Sequence, residues 1–317
     1  MRKILLSVVC LMVIGIQSVN AQLLTAALHH NGKVTIYGSD QLSTAMNDAV
    51  AGDSLFLSEG SYPQKLTITR AISVIGTGAT GAITEIRGSI EIAIPDTLSH
   101  VGCQLRDIKT ATLSITTPVD SLRITKCLFT DEVKFSGLIT NAIIDRSHIK
   151  SFILSTTIGN MDITSSKIKW LAGTTNSASS VNFEHCDISL INNGYGNSDV
   201  NMCLATYLNC IIGSWRAWSS YIDINAIFIN CLCKTDTYTK YTYQNCWVNS
   251  GITFDDDDNV TLTSGDLSNY IGTDGTVVGS TGSANPYTLV PNTPHVTDAK
   301  LDVDSKTKKL IVTMSVE

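Results

Sequence analysis

From Leu122 to Val248 the chain repeats one pattern of apolar and free positions: apolar, any, apolar, any, any, Cys or Ser, any, apolar. Leu122-Arg-Ile124-Thr-Lys-Cys127-Leu-Phe129, Met161-Asp-Ile163-Thr-Ser-Ser166-Lys-Ile168 and Val181-Asn-Phe183-Glu-His-Cys186-Asp-Ile188 are the clearest copies. Looser ones centre on Ser147, Cys210, Cys231 and Cys246, and successive centres are 20, 19, 20, 24, 21 and 15 residues apart. Self-similarity at such a period predicts a solenoid, in which a repeat buries its apolar face only against its neighbours.

Each copy reads as two short strands joined at a corner. Alternation points Ile124, Ile144, Ile163, Phe183, Tyr207, Phe228 and Tyr243 inward as one column. The Cys/Ser column follows, and after it Phe129, Ile149, Ile168, Ile188, Ile212, Cys233 and Val248. The residue before the centre is Asn in three copies, Asn209, Asn230 and Asn245. Asn tolerates left-handed backbone angles, and its amide can bond to the next Asn in a stack.

Before the ladder, a leading strand around Val34–Tyr37 precedes a helix over about 40–51, with Ser39 or Asp40 as its cap. Leu42, Ala45, Met46, Ala49 and Val50 form its apolar face, which should cover the open first coil. Residues 99–116 make an imperfect copy centred on Asp107, with Ile108 out of phase by one. Ser189–Leu204 is longer than a turn and reads as a protruding loop. After Phe254 comes an acidic run, a stretch rich in Gly, Ser, Thr and Asn, and a final alternating pair of strands around Leu301–Val303 and Leu310–Val316.

The Phe228-Ile-Asn230-Cys231 and Tyr243-Gln-Asn245-Cys246 corners resemble those of right-handed parallel β-helices of the pectate-lyase-like superfamily. The opening through Gly52-Asp53, Gly60-Ser-Tyr62 and Ile72–Gly76 resembles that of exported bacterial β-helix proteins of uncharacterised function. Gly272-Thr-Asp-Gly275 and Asn285–Pro291 resemble their C-terminal ends. The expected fold is therefore all-β. It is a right-handed parallel β-helix of about 9–10 coils over residues 22–254, capped by a helix and followed by a β-rich tail over 255–317. A left-handed β-helix needs a strict six-residue repeat, and the variable spacing argues against it.

Composition narrows the setting. Arg2 and Lys3, an apolar run from Ile4 to Ile16 and Val19-Asn20-Ala21 make residues 1–21 a signal peptide. The run is too short to span a membrane, and no later segment is apolar enough. The expectation is an exported protein: secreted, periplasmic or at the cell surface. A net charge of −6 speaks against a nucleic-acid partner. In an exported chain cysteines usually pair. Here, however, Cys127, Cys186, Cys210 and Cys231 share a column with Ser147 and Ser166, which points to packed free thiols. Cys210–Cys231 and Cys231–Cys246 are the pairs that stacking would bring within disulfide range.

Candidate chemistry is sparse. Outward columns carry Arg123 and Asp162, and beside them Asp145 and Glu184. Asp162 and Glu184 should lie on neighbouring coils with backbones roughly 8 Å apart. That separation suits an inverting glycosidase, whose carboxylates stand about 6.5–9.5 Å apart. A solvent-facing sheet carries such residues without catalysis, and Lys126, Arg146 and His185 at the corners supply countercharge. Of the Asn-Thr-Asp, Asp-Asp, Gly-His-Gly and Arg-Ile-Lys signatures of polygalacturonase-type hydrolases only Asp-Asp occurs, in the run at 255–258. Asp255, Asp257, Asn259 and Asp266 fit some positions of a calcium loop, but Val260 stands where the turn needs Gly. A solvated acidic turn is favoured, with no metal and no cofactor.

Tyr195, Trp215 and Trp218 form the densest group of aromatics free of the ladder, the last two on a corner or loop. They are the candidate ligand-binding residues, since indole and phenol faces stack on sugars. The expected function is non-catalytic binding at a surface or envelope, with a polysaccharide or cell-surface glycan as partner. A polysaccharide lyase or glycoside hydrolase is the alternative.

Overall fold

The repeats build a parallel β-solenoid of about seven regular turns. The computed structural model describes residues 24–154, 158–173, 180–193, 205–217, 226–235, 242–291, 296–303 and 310–316. Every turn gives one strand to a first sheet, where Leu55, Val74, Leu105, Ile124, Ile144, Ile163, Phe183, Tyr207, Phe228 and Tyr243 are register partners in succession. All but the last are buried. Register sets the aromatic geometry. The rings of Phe183, Tyr207, Phe228 and Tyr243 stack nearly parallel, with centroids 4.9, 4.7 and 5.2 Å apart. These spacings follow the distance between neighbouring strands.

A second sheet carries the column Phe129, Ile149, Ile168, Ile188, Ile212, Cys233 and Val248, again in register. Its strands bend. A register shift between Phe129 and Glu132 turns the chain, so that Val133, Phe152, Leu171 and Ile191 make a further buried column. One continuous core runs down the stack between the sheets.

The corner between the sheets is left-handed in eight consecutive coils, at Asp107, Lys126, Arg146, Ser165, His185, Asn209, Asn230 and Asn245. Asp107 is therefore a corner residue, not a centre. Ile108 takes the inward place of Cys127 and is 1% exposed. This removes the one-residue phase error expected for residues 99–116. Upstream the corner is less regular. Gly76 pairs through its N–H with the Arg106 carbonyl, and a Cβ there would stand 2.3 Å from the Asp107 carbonyl oxygen. The expected 9–10 coils counted these first turns together with the regular seven.

The first coil is covered by the expected helix and, in addition, by a hairpin. Strand β1 (Thr25–His30) forms a hairpin with β2 (Lys33–Gly38) and pairs antiparallel with β3 (Ser54–Leu57). The hairpin, not the helix, satisfies the strand edge. Helix α1 (Leu42–Asp48) plugs the core with Leu42, Ala45 and Met46. It is shorter than the predicted 40–51 and has no side-chain N-cap hydrogen bond. Ala49 is buried, but Val50 is 46% exposed and lies off the apolar face.

After the last coil the tail turns back. Ile252–Phe254 and Val260–Leu262 pair antiparallel and lie on the outer side of the second sheet, with Ile211, Leu232, Ile252 and Val278 as a small second core. Residues 272–291 then run back down the corner column. Asn230 Nδ2 donates to Thr273 Oγ1 at 3.0 Å, and Asn209 Nδ2 to Asp274 Oδ2 at 2.9 Å. Ser283 meets Ser165, and Lys126 Nζ donates to the Val290 carbonyl at 2.7 Å. Pro291 reaches Gly78 in the first turns. The corner side chains were expected to face solvent. Instead Lys126, Ser165, His185, Asn209 and Asn230 are 1–4% exposed beneath the tail. Val296–Val303 and Leu310–Val316 form the expected terminal antiparallel pair.

Candidate binding groove between the second sheet and the tail

Where the tail crosses the second sheet it leaves an open cavity of about 610 Å³. The floor comes from two consecutive strands. His148–Leu154 supplies His148 and Lys150, and Lys167–Gly173 supplies Lys167 and Lys169. Register pairs His148 with Lys167 and Ile149 with Ile168. The buried isoleucines thus send Lys150 and Lys169, the next residues along, to the outside. Thr80 and Thr130 add hydroxyls, and Asp256–Asn259, Tyr287 and Leu289 from the tail form the facing wall.

The two walls are complementary in charge. Asp258, also in a left-handed conformation at φ 56°, is buried and meets His148 Nε2 at 2.9 Å. The Lys169 ammonium stands 3.9 Å from its other oxygen. Asp255 holds the turn together. Its Oδ1 accepts the N–H groups of Asp257 and Asn259 at 2.9 and 2.8 Å, and its Oδ2 accepts Asn259 Nδ2 at 2.8 Å. Those bonds, the Asn259 side chain first, keep its carboxyl below the usual range. The acidic run was expected to be a solvated turn. Asp255, Asp256 and Asp257 are exposed as expected, while Asp258 alone is buried against the basic sheet face. Asp266 is spent on the Ser268 N–H at 2.9 Å, so the four residues suggested for calcium do not converge. Among the described residues no group of three or more His, Cys, Asp or Glu side chains is arranged to hold a metal.

Beside the groove Asp187 is wholly enclosed. It accepts the Ser280 N–H at 3.0 Å, and the Ser280 hydroxyl donates to its other oxygen. Burial outweighs these bonds and pushes its pKa up to about 6. Burial and the nearby Asp257, Asp258 and Asp187 likewise push the Tyr287 phenol up.

The sheet residues proposed for chemistry lie elsewhere. Asp162 and Glu184 stand on adjacent strands of the first sheet, offset by two as expected, with Asn182 and Thr164 as their register partners. Asp162 accepts Asn182 Nδ2 at 2.9 Å. Asp145 is held by Arg146 at 2.6 Å and by the Thr164 hydroxyl at 3.0 Å. Arg123 is exposed on Arg123–Thr125, beyond Ala142–Asp145 in strand order. These four residues line the outside of the first sheet, while the groove lies over the second.

Tyr195 and Trp218 lie outside the described residues. Ser189 does not begin a loop, because its strand runs on through Asp187–Asn193. Trp215 sits within Ile211–Ala217, in register with Ile191, and is on a strand rather than a corner. The groove's own lysines went unnoticed in the sequence. Their signal was the recurrence His148-Ile-Lys150 and Lys167-Ile-Lys169 at one coil's spacing, opposite in charge to Asp255–Asp258.

No helix among the described residues is long and apolar enough to cross a membrane. No protein-family model, curated protein or solved structure matches the chain.

Proposed function

We propose that this is an exported, non-catalytic β-helix protein that binds a glycan in the groove between the second sheet and the tail. The supporting observation is the groove itself. It is an open cavity of about 610 Å³ lined by two threonine hydroxyls, the Lys150 and Lys169 ammonium groups, the 256–259 turn and the Tyr287 ring. A sugar chain presents hydroxyls in many directions, and such a mixed set of donors and acceptors matches it. The leader-like residues 1–21 support export, and the corner motifs support kinship with pectate-lyase-like β-helices. The alternative, a polysaccharide lyase or hydrolase acting through Arg123, Asp145, Asp162 and Glu184, has the weaker support. Those residues are spread along the outside of the first sheet, and Asp145 and Asp162 are already bonded to neighbouring side chains.

The test is a glycan array, followed by titration of any ligand against Lys150→Ala and Lys169→Ala. Each should lose about 1–2 kcal/mol, roughly tenfold in Kd. Unchanged binding in both, with loss in Trp215→Ala, moves the site to the flank near Trp215 and Trp218. Turnover of an acidic or neutral polysaccharide that Asp162→Asn abolishes establishes the enzyme reading instead.

A further inference from the structure

We propose that the protein forms a two-fold dimer by pairing strand β2 with the β2 of a second copy. The first sheet ends on one side in Thr242–Gln244, three residues long, and on the other in β2, six residues long. A long flat edge strand invites pairing, and chains usually blunt it with a proline, a bulge or an inward charge in mid-strand. Between Val34 and Tyr37 β2 has none of these, and its register with β1 runs unbroken from Thr25–Gly38 to His30–Lys33. The turn residues Asn31 and Gly32 have φ 46° and 75°, as a two-residue hairpin requires. The His30–Lys33 pair beside it is then hydrogen-bonded, so Lys33, Thr35 and Tyr37 spend their backbone groups on β1. Gly38 is held by Gln41, whose Oε1 accepts its N–H at 3.0 Å and whose N–H meets its carbonyl at 3.0 Å. Val34 and Ile36 turn two N–H and two C=O groups to the open edge. Their side chains are open as well, at 53% and 60% exposed. They share the outer face with Phe56, which is 38% exposed and in register with Ile36 through Ala27.

The strand is complementary to itself about Thr35. Antiparallel pairing centred there sets Val34 opposite Ile36 of the second copy, and Ile36 opposite its Val34. Both pairs exchange N–H···O bonds, four in all, and both join apolar side chains on the outer face. On the inner face Lys33, exposed, comes opposite Tyr37 of the second copy. The Tyr37 hydroxyl donates to Asp48 Oδ2 at 2.7 Å, so the exposed Asp48 carboxylate lies ready for the incoming ammonium. A shift of one residue sets the outward Val34 against the inward Tyr37, and a shift of two halves the four bonds. One register therefore satisfies the backbone, the apolar face and the charges together. Pairing of β2 with Thr242–Gln244 instead offers only a three-residue strand. The dimer leaves the groove over the second sheet free in both copies and does not depend on what that groove binds.

The test is sedimentation of the purified protein over a concentration series. Transient contacts bury less than about 1,200 Å², and a single paired strand belongs among them, so the series should reach about 200 μM. Wild type should pass from monomer to dimer within it. Ile36→Lys adds a charge at a position already exposed. Val34→Pro removes one edge N–H and leaves the bonds to β1 intact. Each should weaken the dimer at least about tenfold with an unchanged thermal melt. Thr35→Cys sets two Cα atoms about 4.5 Å apart across the two-fold axis, within disulfide range. Dissolved oxygen should take two electrons and two protons from these thiols, giving hydrogen peroxide and a cross-linked dimer. Lys33→Cys, which faces Tyr37, should not cross-link. Wild type that remains monomeric throughout the series overturns the proposal. So does a dimer that Val34→Pro leaves unchanged, or one that Lys33→Cys cross-links as readily as Thr35→Cys.

Discussion

Ser147 Oγ accepts the backbone N–H of Cys127 at 3.2 Å and donates to the carbonyl of Asp145 at 3.0 Å. The same device recurs along the column. Ser166 Oγ accepts the Ser147 N–H at 3.1 Å, Cys210 Sγ the Cys186 N–H at 3.4 Å, and Cys246 Sγ the Cys231 N–H at 3.4 Å. Each left-handed corner leaves the next N–H without a strand partner. A small side chain from the following coil that both donates and accepts supplies one. Smallness alone does not explain the choice of Cys and Ser. The seven described cysteines are free thiols.

Cys210→Ser should therefore cost less than about 1 kcal/mol, whereas Cys210→Val should cost about 1–3 kcal/mol by orphaning the Cys186 N–H. Urea unfolding of the two variants measures the difference. Equal losses would show that volume, not the hydrogen bond, sets the column.

Removal of residues 24–50 should expose the edge of β3 and the core under Leu42 and Met46, giving end-to-end association. Light scattering on the truncated chain reads this directly. Met46→Ala alone should cost about 2–5 kcal/mol. A truncated chain that stays monomeric and equally stable would mean that the hairpin and helix protect nothing.

Gly279 sits at φ 90°, and a Cβ there would lie 2.5 Å from Ile211 Cδ1 and 2.6 Å from Asp187 Oδ1. Gly279→Ala should loosen the tail at a cost of about 1–3 kcal/mol. Amide exchange at Val278 and Ser280 should accelerate while that of Ile163 in the first sheet does not. A uniform acceleration would make the tail part of the solenoid's own cooperative unit.

Asp187 gives a pH dependence of unusual sign. Its pKa is about 6 in the fold against 3.8 for a free aspartate side chain. Between these values the native state holds a proton that the unfolded chain has released. Stability from this group is thus fully present below the unfolded pKa and falls as pH rises through about 6. Glu85, Asp120, Asp255, Asp266 and Asp274 are shifted down and act in the opposite direction. The difference between wild type and Asp187→Asn isolates the effect, and it should grow from pH 4 to 6 and level off above. A flat difference would place the proton elsewhere.

The sequence by itself determined the solenoid, its strand register and its inward columns. A period of two within strands and of about twenty between them leaves one way to bury the ladder, so Ile124 through Tyr243 could be paired from spacing alone. It also marked Asn209 and Asn230 as stacked corner residues, and their amides do bond at 3.0 Å. Where the pattern carried no period, only the tertiary structure decided. Nothing local in Asp255–Asn259 says that the run folds onto His148 and Lys169, because their attraction acts between segments more than a hundred residues apart in the case of His148. The same holds for the corner column. Lys126, Ser165 and His185 are polar and read as solvent-facing, yet the returning tail buries them by supplying carbonyls and hydroxyls in place of water. The groove exists because those two chain segments meet, and a repeat pattern records each coil's neighbours but not what crosses over them.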